Sequence, residues 1–372
     1  MQRFKFGSVP AKRGVNARKL EIRLACFDQA MAEDPKTLCS RFDLTYVETS
    51  DLPIRRRRCG KGFRYIGADG KTVRETSFKR RVQRLAVPPG WTDVYVAADE
   101  RAHIQAVGRD TEGRLQYRYH PEWENARALT KRTRLRRLGS ALPKIRSAVR
   151  KALTAPGLSR EKVTAAVVRL IDRALLRPGH EEYARADGGR GASTLLKDDI
   201  RVEGDMLVLS FKGKGGKDIQ RKLRDPLLAP VMRKLAGLRG KRLFRVSNGA
   251  GAKRAITARD VNEFLAEASG AEVTAKDFRT FKASATALAI LAGHKAEGSS
   301  TPCKKAVIEA ADEASKVLAN TRAVARSSYI HPAVIKAYEA GKLETSLLKG
   351  RMRKGLDRFE SALMRFLEKR AR

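Results

Sequence analysis

The sequence has few acidic residues, few cysteines and no long apolar run. Its 372 residues include 79 Lys and Arg but only 41 Asp and Glu, so the formal net charge is +38. Every apolar run is well short of the roughly 18–20 residues that a membrane-spanning helix needs, which excludes a membrane-spanning protein. Hydrophobic residues still make up 42% of the chain, enough for real cores, so disorder throughout is not expected.

The common metal and nucleophile motifs are also missing. The four cysteines, Cys26, Cys39, Cys59 and Cys303, are far apart and form no C-x-x-C pair. The five histidines form no H-E-x-x-H, and there is no G-x-S-x-G elbow. We therefore expect reduced thiols in a cytoplasmic protein, with no metal and no cofactor. Residues 1–20 lack the apolar segment of a signal peptide, although a targeting presequence remains possible there.

The excess of positive charge requires a polyanionic partner. A compact chain with this charge repels itself at low salt unless the charge faces an anion. Nucleic acid is the first candidate, and an anionic membrane surface is the second.

Composition and periodicity predict an α+β protein with four segments. Residues 1–43 form a basic extension, 44–124 a small antiparallel-sheet domain, 125–345 a larger mainly helical domain, and 346–372 a basic amphipathic tail. Strands are predicted at Phe63–Ile66, Val94–Ala97, His103–Val107 and Leu115–Tyr119, with a helix at Ser77–Leu85. A small three-stranded sheet is predicted inside the helical domain, at Ile200–Val202, Met206–Phe211 and Asp218–Leu223.

Two helices of the larger domain can be placed from the sequence. Asn125 to Arg160 holds eleven Lys or Arg and no acid, which indicates a helical wall that follows phosphates. Its residues Lys131, Arg132, Arg136 and Arg137 are therefore predicted to bind nucleic acid. Ser159 can cap a second helix, which is expected to end at Arg177 because Pro178 and Gly179 cannot continue it.

Five separated residues have side chains suited to chemistry on a phosphodiester. Arg177 and Arg279 can bind phosphate oxygens with two hydrogen bonds each, and Lys214, on a glycine-flanked hairpin tip, can protonate a leaving alkoxide. The phenol of Tyr329 can attack phosphorus, and Asn320 precedes it by nine residues. Positive side chains would supply the charge stabilisation that a metal gives elsewhere.

The chain resembles the type IB DNA topoisomerases in their short bacterial and poxvirus-like form. Val107–Tyr119 is similar to the G-x-D-x-x-G-R-x-Q-Y signature of the small domain of that family. Lys276–Thr280 resembles the motif around the second catalytic arginine, and Phe211–Lys214 resembles the catalytic-lysine hairpin. The Ser-x-Tyr element that ends at Tyr329 matches as well, and the resemblance covers about residues 44–340.

This resemblance implies a role for each residue. Tyr329 is the nucleophile, Arg177 and Arg279 stabilise the transition state, and Lys214 is the general acid. Asn320 stands where many members have histidine, so it is expected to donate a hydrogen bond rather than a proton; the alternative is that it only caps a helix.

The resemblance also implies contacts with duplex DNA. Gln116 and Tyr117 are expected to face the DNA, while Tyr119 is equally suited to cross-strand packing. The expected substrate is supercoiled double-stranded DNA, relaxed without ATP by a monomer that associates with the nucleoid.

Two other functions stay open on the sequence alone. A tyrosine recombinase shares the Arg, Lys and Tyr chemistry, but recombinases usually have histidine three residues before the second arginine, where this chain has Lys276. A non-catalytic architectural protein would explain the charge but not the joint spacing of Asn320 and Tyr329.

Overall fold

The computed structural model describes residues 34–186, 188–247, 253–294 and 300–369. They divide into two compact units, one ending at Thr130 and the other starting at Lys131. The predicted α+β class is confirmed: an antiparallel sheet precedes a mainly helical region that contains a small three-stranded sheet. Most of the predicted N-terminal extension, residues 1–33, lies outside the described part of the chain. Within that part, no helix has both the length and the apolar character needed to cross a membrane.

The first unit is a five-stranded antiparallel sheet with the strand order β2-β1-β3-β4-β5. Its elements are α1 (Pro35–Arg41), β1 (Ile54–Cys59), β2 (Gly62–Ile66), α2 (Thr76–Leu85), β3 (Thr92–Val96), β4 (Ile104–Arg109) and β5 (Leu115–Tyr119). Helix α2 packs Phe78 and Val82 onto one face of the sheet, against Ile54 and Val96. The predicted strands and the predicted helix are present, with ends shifted by one or two residues.

Strand β1 was not predicted, because its residues read Ile-Arg-Arg-Arg-Arg-Cys. Arg56 is buried nonetheless, since its guanidinium donates to the carbonyls of Pro88 (3.1 Å) and Trp91 (2.6 Å). An inward-facing arginine thus takes the place of an apolar residue and hides the alternation that marks a strand.

The second unit is built mainly of helices. Its elements are α3 (Pro121–Thr154, which begins before the boundary), α4 (Arg160–Ala174), α5 (Glu181–Ala186), β6 (Ile200–Glu203), β7 (Met206–Lys212), β8 (Asp218–Arg224), α6 (Ala229–Gly237), β9 (Arg245–Ser247), β10 (Lys253–Ala255), α7 (Ala258–Ser269), α8 (Ala275–Gly293), α9 (Ser300–Leu318), α10 (Arg322–Val324), α11 (Pro332–Glu339), α12 (Ser346–Lys349) and α13 (Arg358–Lys369). The three predicted strands form the sheet β6-β7-β8. The β9–β10 pair was not predicted.

Helix α4 ends earlier than the sequence suggests. Ser159 caps its start by accepting a hydrogen bond from the Lys162 amide, as expected. The predicted end at Arg177 is wrong, because Leu175 adopts a left-handed conformation (φ 54°) that closes the helix after Ala174. Arg177 therefore lies in a loop rather than on a helix.

Helix α8 lies in the core of this unit and packs against α9, α11 and α13. Its sequence is rich in alanine, so neighbouring helices can approach closely. The C-terminal helix α13 buries Leu363, Phe366 and Leu367 in the same core. Phe359, in the first turn of α13, is 41% exposed although its spacing places it on the same face as Leu363 and Phe366.

Candidate active site

A cleft in the second unit is lined by four arginines and, among the described residues, by no acidic one. Its walls are formed by Leu175, Leu176, Arg177, Arg190, Gly191, Phe211, Gly213, Ile219, Arg221, Arg279, Leu318 and Ala319. The lining comes from the ends of α4 and α9, from α8, and from the hairpin of β7 and β8. Residues far apart in the sequence thus meet at one strongly positive place.

The loop after α4 places Arg177 in this cleft. The Ala192 amide donates to the Arg177 carbonyl at 2.8 Å, which fixes the loop. A Cβ on Gly191 would lie only 2.6 Å from that carbonyl oxygen, so the close approach requires glycine. The Arg177 guanidinium donates from Nη2 to Oδ1 of Asn320 at 2.6 Å.

Arg279 enters the cleft from α8 and is 2% exposed. Its Nη2 donates to the Leu318 carbonyl at 3.0 Å, and its Nη1 donates to the Leu175 carbonyl. These carbonyls belong to the C-terminal ends of α9 and α4, where the helix dipole favours a cation. Burial lowers the pKa of Arg279, but a guanidinium remains protonated in proteins.

Tyr329 closes a short π-helical turn, Ala325–Tyr329, and is buried beside Arg279. The Arg279 Cζ atom lies 5.0 Å from the centre of the tyrosine ring. Burial by itself raises the pKa of the phenol, but the positive charges of Arg279, Arg177 and Lys276 outweigh this effect, so the pKa of Tyr329 is lowered. The arrangement favours loss of the phenolic proton.

Asn320 completes the group through both its backbone and its side chain. Its amide donates to the Ser315 carbonyl at 3.0 Å and so closes the end of α9, while its Oδ1 accepts from Arg177. The backbone of Asn320 therefore caps the helix, as one prediction had it, while its side chain makes a polar contact in the cleft. Because Oδ1 faces Arg177, the Nδ2 group is left buried with no hydrogen-bond partner within the described segments.

A second buried donor in the cleft is also unpartnered. Nε of Arg279 finds no acceptor among the residues that the structure describes. A buried donor without a partner costs free energy, so two such donors in one site indicate an anionic acceptor that completes them.

Lys214 lies on the exposed tip of the β7–β8 hairpin. The tip can form because Gly215 and Gly216 both take left-handed backbone conformations (φ 70° and 71°). Gly213 at the base of the tip lines the cleft. Burial lowers the pKa of His180, and the charge of Lys214 lowers it further, so Lys214 is within electrostatic reach of the loop that carries Arg177. Arg177, Arg279, Asn320 and Tyr329 thus lie together, and Lys214 lies on a hairpin whose base lines the same cleft.

Two further arginines of the cleft were not predicted. Arg221 donates to the carbonyls of Ala174 (3.3 Å) and Val317 (2.9 Å), and so joins the ends of α4 and α9 beside Arg279. Arg190 pairs with Asp199 at 2.7 Å. In a chain with 79 basic residues nothing in the local sequence marks these two, because only the fold places them in the cleft.

In the first unit, the pleat of β5 separates the predicted DNA contacts. Tyr117 and Tyr119 share one face and stack with their ring centres 5.7 Å apart. Gln116 points to the other face, where its amide donates to Asp110 at 2.7 Å. Tyr119 also packs in one apolar cluster with its cross-strand partner Ile104, so the packing alternative is present, and contact of these side chains with DNA stays a prediction.

Strand register shows a set of exposed arginines on the same face as the tyrosines. Arg55 pairs with Tyr95, Tyr95 with Val107, and Val107 with Tyr117, and directly paired residues share a face. Arg57 shares that face and pairs with Arg64 on β2. We call Arg55, Arg57 and Arg64 the hairpin arginines; all three are exposed.

Several basic side chains of helix α3 form hydrogen bonds or ion pairs within the protein. Lys131 donates to two backbone carbonyls near Tyr329, and Arg132 donates to the Leu367 carbonyl at 3.1 Å. Arg137 forms an ion pair with Glu272 at 2.8 Å. Arg136 remains exposed. Part of the acid-free stretch is therefore engaged by partners distant in sequence, and contact of these four residues with DNA stays a prediction.

Comparisons with known proteins find one family over most of the chain. The family model described as the catalytic core of eukaryotic DNA topoisomerase I matches residues 121–353, more than half of the chain. The model for the N-terminal domain of bacterial DNA topoisomerase IB matches residues 62–110. A DNA topoisomerase 1B of Acanthamoeba polyphaga mimivirus is 29% identical over 293 residues, which cover 77% of this chain and 87% of that protein.

Both family models and this relative describe DNA topoisomerases. The chain belongs to the type IB DNA topoisomerase family.

Proposed function

We propose that this protein relaxes supercoiled duplex DNA through a transient single-strand break. Tyr329 attacks a phosphodiester and forms a 3′-phosphotyrosyl bond, and the 5′-hydroxyl leaves. The free end rotates about the intact strand, and the hydroxyl then attacks the phosphotyrosine to restore the backbone. Because the phosphotyrosyl bond keeps the energy of the diester, the cycle needs no ATP.

The residues of the cleft have a role in each step. The charges that lower the pKa of Tyr329 favour the phenolate nucleophile. Arg177 and Arg279 hold the non-bridging oxygens of the five-coordinate transition state. Lys214, on its exposed tip, delivers a proton to the leaving 5′ oxygen.

The observation that carries the proposal is the pair of unpartnered buried donors beside Tyr329. Nε of Arg279 and Nδ2 of Asn320 both lack acceptors within the described chain. A phosphate bound in the cleft would supply oxygen acceptors to both donors.

DNA contacts in the first unit come from the face that carries the hairpin arginines. Arg57 and Arg64 are directly paired like charges, which destabilise a sheet unless an anion lies between them. We propose that this face binds the DNA backbone, with Tyr117 and Tyr119 beside it, and that a monomer acts on DNA in the cytoplasm, at the nucleoid.

One assay tests the mechanism. Supercoiled plasmid is incubated with the protein in EDTA without ATP, alongside Tyr329→Phe and the control Tyr65→Phe, which lies on the face of the sheet covered by α2. We expect wild type and the control to relax both positive and negative supercoils, and Tyr329→Phe to bind without relaxing. Binding by the wild type without relaxation would indicate an architectural protein, and strand exchange between two sites would indicate a recombinase.

A further inference from the structure

The backbone around Tyr329 is held by two side chains that belong to other helices. Ser284 on α8 is fully buried; its Oγ donates to the Tyr329 carbonyl at 3.2 Å and accepts from the His331 amide at 2.9 Å. Lys131 on α3 donates from Nζ to the carbonyls of Ser328 (3.1 Å) and Ile330 (3.0 Å). Three consecutive carbonyls, centred on the tyrosine, thus accept bonds from these two side chains.

These carbonyls are the ones that the local fold leaves without helical partners. The π-helical turn ends at Tyr329, where the Ile330 amide bonds to the Ala325 carbonyl at 2.9 Å. The last carbonyls of a helix need partners from elsewhere, and π-helical turns are rare and concentrate at functional sites. Water could satisfy such carbonyls, but it would leave the position of the turn loosely defined.

We infer that Lys131 and Ser284 are positioning residues that fix the tyrosine backbone for both attack and religation. The inference rests on the proposed function of Tyr329. Lys131 then acts on the rate of the covalent steps rather than on DNA affinity, which is the opposite of the phosphate contact that its basic helix predicts. Since a small displacement of a reacting group costs up to about a hundredfold in rate, we expect losses of roughly ten- to a hundredfold.

The test compares Lys131→Met and Ser284→Ala with two matched variants. Lys144→Met removes an exposed charge from the same helix, and Lys234→Met removes one from α6. Cleavage is followed with excess enzyme as nicked plasmid trapped by detergent, and religation as its loss after a salt jump. The affinity for DNA is measured for each variant combined with Tyr329→Phe, so that no cleavage occurs. The final amount of covalent adduct gives the number of active enzyme molecules.

We expect both positioning variants to slow cleavage and religation per active molecule while affinity changes less than about twofold. Lys131→Arg, which keeps the donors, should recover most of the rate, and Lys234→Met should match the wild type. An affinity loss with a smaller salt dependence, as expected for Lys144→Met, would make Lys131 a phosphate contact and overturn the inference. A lower amplitude with an unchanged rate constant would also overturn it, because the role would then be structural. If wild type forms no adduct, the proposed function itself fails.

Discussion

Two arginine-rich regions of this protein use the same side chain in opposite ways. The hairpin arginines of the first unit are exposed, and their side chains make no hydrogen bond or ion pair with any described residue. The cleft arginines of the second unit are half or fully buried, and each donates to a carbonyl, an amide oxygen or a carboxylate. The exposed arginines are suited to a DNA backbone that can slide along them, through an attraction that salt screens. The buried arginines are suited to binding one phosphate at one position. Substitutions in the two regions should therefore have different effects.

The largest effect is expected at Arg279. Arg279→Ala removes a transition-state donor, so cleavage per active molecule should slow by at least about 10²–10³-fold while DNA is still bound. Single-turnover adduct formation measures the rate, and a melting curve shows whether the ends of α4 and α9 remain joined. Arg279→Lys keeps the charge but not the fork of donors, so an intermediate rate is expected. An Ala variant that cleaves within a few-fold of wild type would remove Arg279 from the catalytic group.

Arg146 belongs to neither arginine class, and its loss should affect folding alone. It bridges Asp172 on α4 and Glu360 on α13 at 2.9 Å each, and Glu360 is buried. Arg146→Met leaves that carboxylate with only the longer ion pair to Lys282 (3.6 Å) among the described residues, so the free energy of unfolding should fall by about 3 kcal/mol. Denaturant titration measures this, with the exposed Arg150→Met as control. Equal stability of the two variants would show that the bridge does not fasten α13.

Neutralising the hairpin arginines should weaken binding without touching the chemistry. The triple variant Arg55→Gln, Arg57→Gln and Arg64→Gln should bind DNA about tenfold or more weakly at low salt. Its plot of log affinity against log salt should become shallower by about 0.9 for each phosphate that is no longer neutralised. Cleavage at saturating enzyme should be unchanged.

The matched control removes the same charge from the opposite face, as Lys79→Gln, Arg80→Gln and Arg84→Gln on α2. An equal decrease in affinity in the two triple variants would mean that only net charge matters, and the proposed DNA face would be wrong.

The smallest effect is a change in the pKa of Tyr329. The charge of Arg177 helps to lower that pKa, so Arg177→Gln should raise it, and the pH at which cleavage reaches its plateau should move upward. Tyrosine labelled with carbon-13 at the phenolic carbon reports the titration by NMR, with Tyr329→Phe assigning the signal. A pKa that stays the same or falls in Arg177→Gln would contradict the electrostatic coupling.

The fold class could be predicted because its elements leave local traces in the sequence, whereas the roles of the candidate site residues stay predictions. Alternation marked β4 and β5, a serine cap marked the start of α4, and the hairpin glycines marked the tip that carries Lys214. Strand β1 was missed because a buried arginine breaks the alternation. The end of α4 was placed too late because Leu175 adopts a left-handed conformation without being glycine, and tertiary contacts rather than propensity fix it.

The use of each basic residue could not be predicted, because its partner lies far away in sequence. Lys131 and its two carbonyl acceptors are almost 200 positions apart. Arg221 and its acceptor on Val317 are also widely separated along the chain. A run of basic residues is visible in the sequence, whereas the partner of each basic side chain is determined by the tertiary structure.

Helix α8 carries Arg279 and, five residues later, Ser284, so one helix holds both the arginine proposed to bind the phosphate and the backbone of the proposed nucleophile. When α8 shifts as a body, the two move together and their separation is preserved. Rotation of a DNA strand exerts torque on whatever holds its end. In the proposed cycle, the helix can therefore move under that torque while Arg279 and the Tyr329 backbone keep their relative positions. The phosphotyrosyl bond then stays aligned for religation.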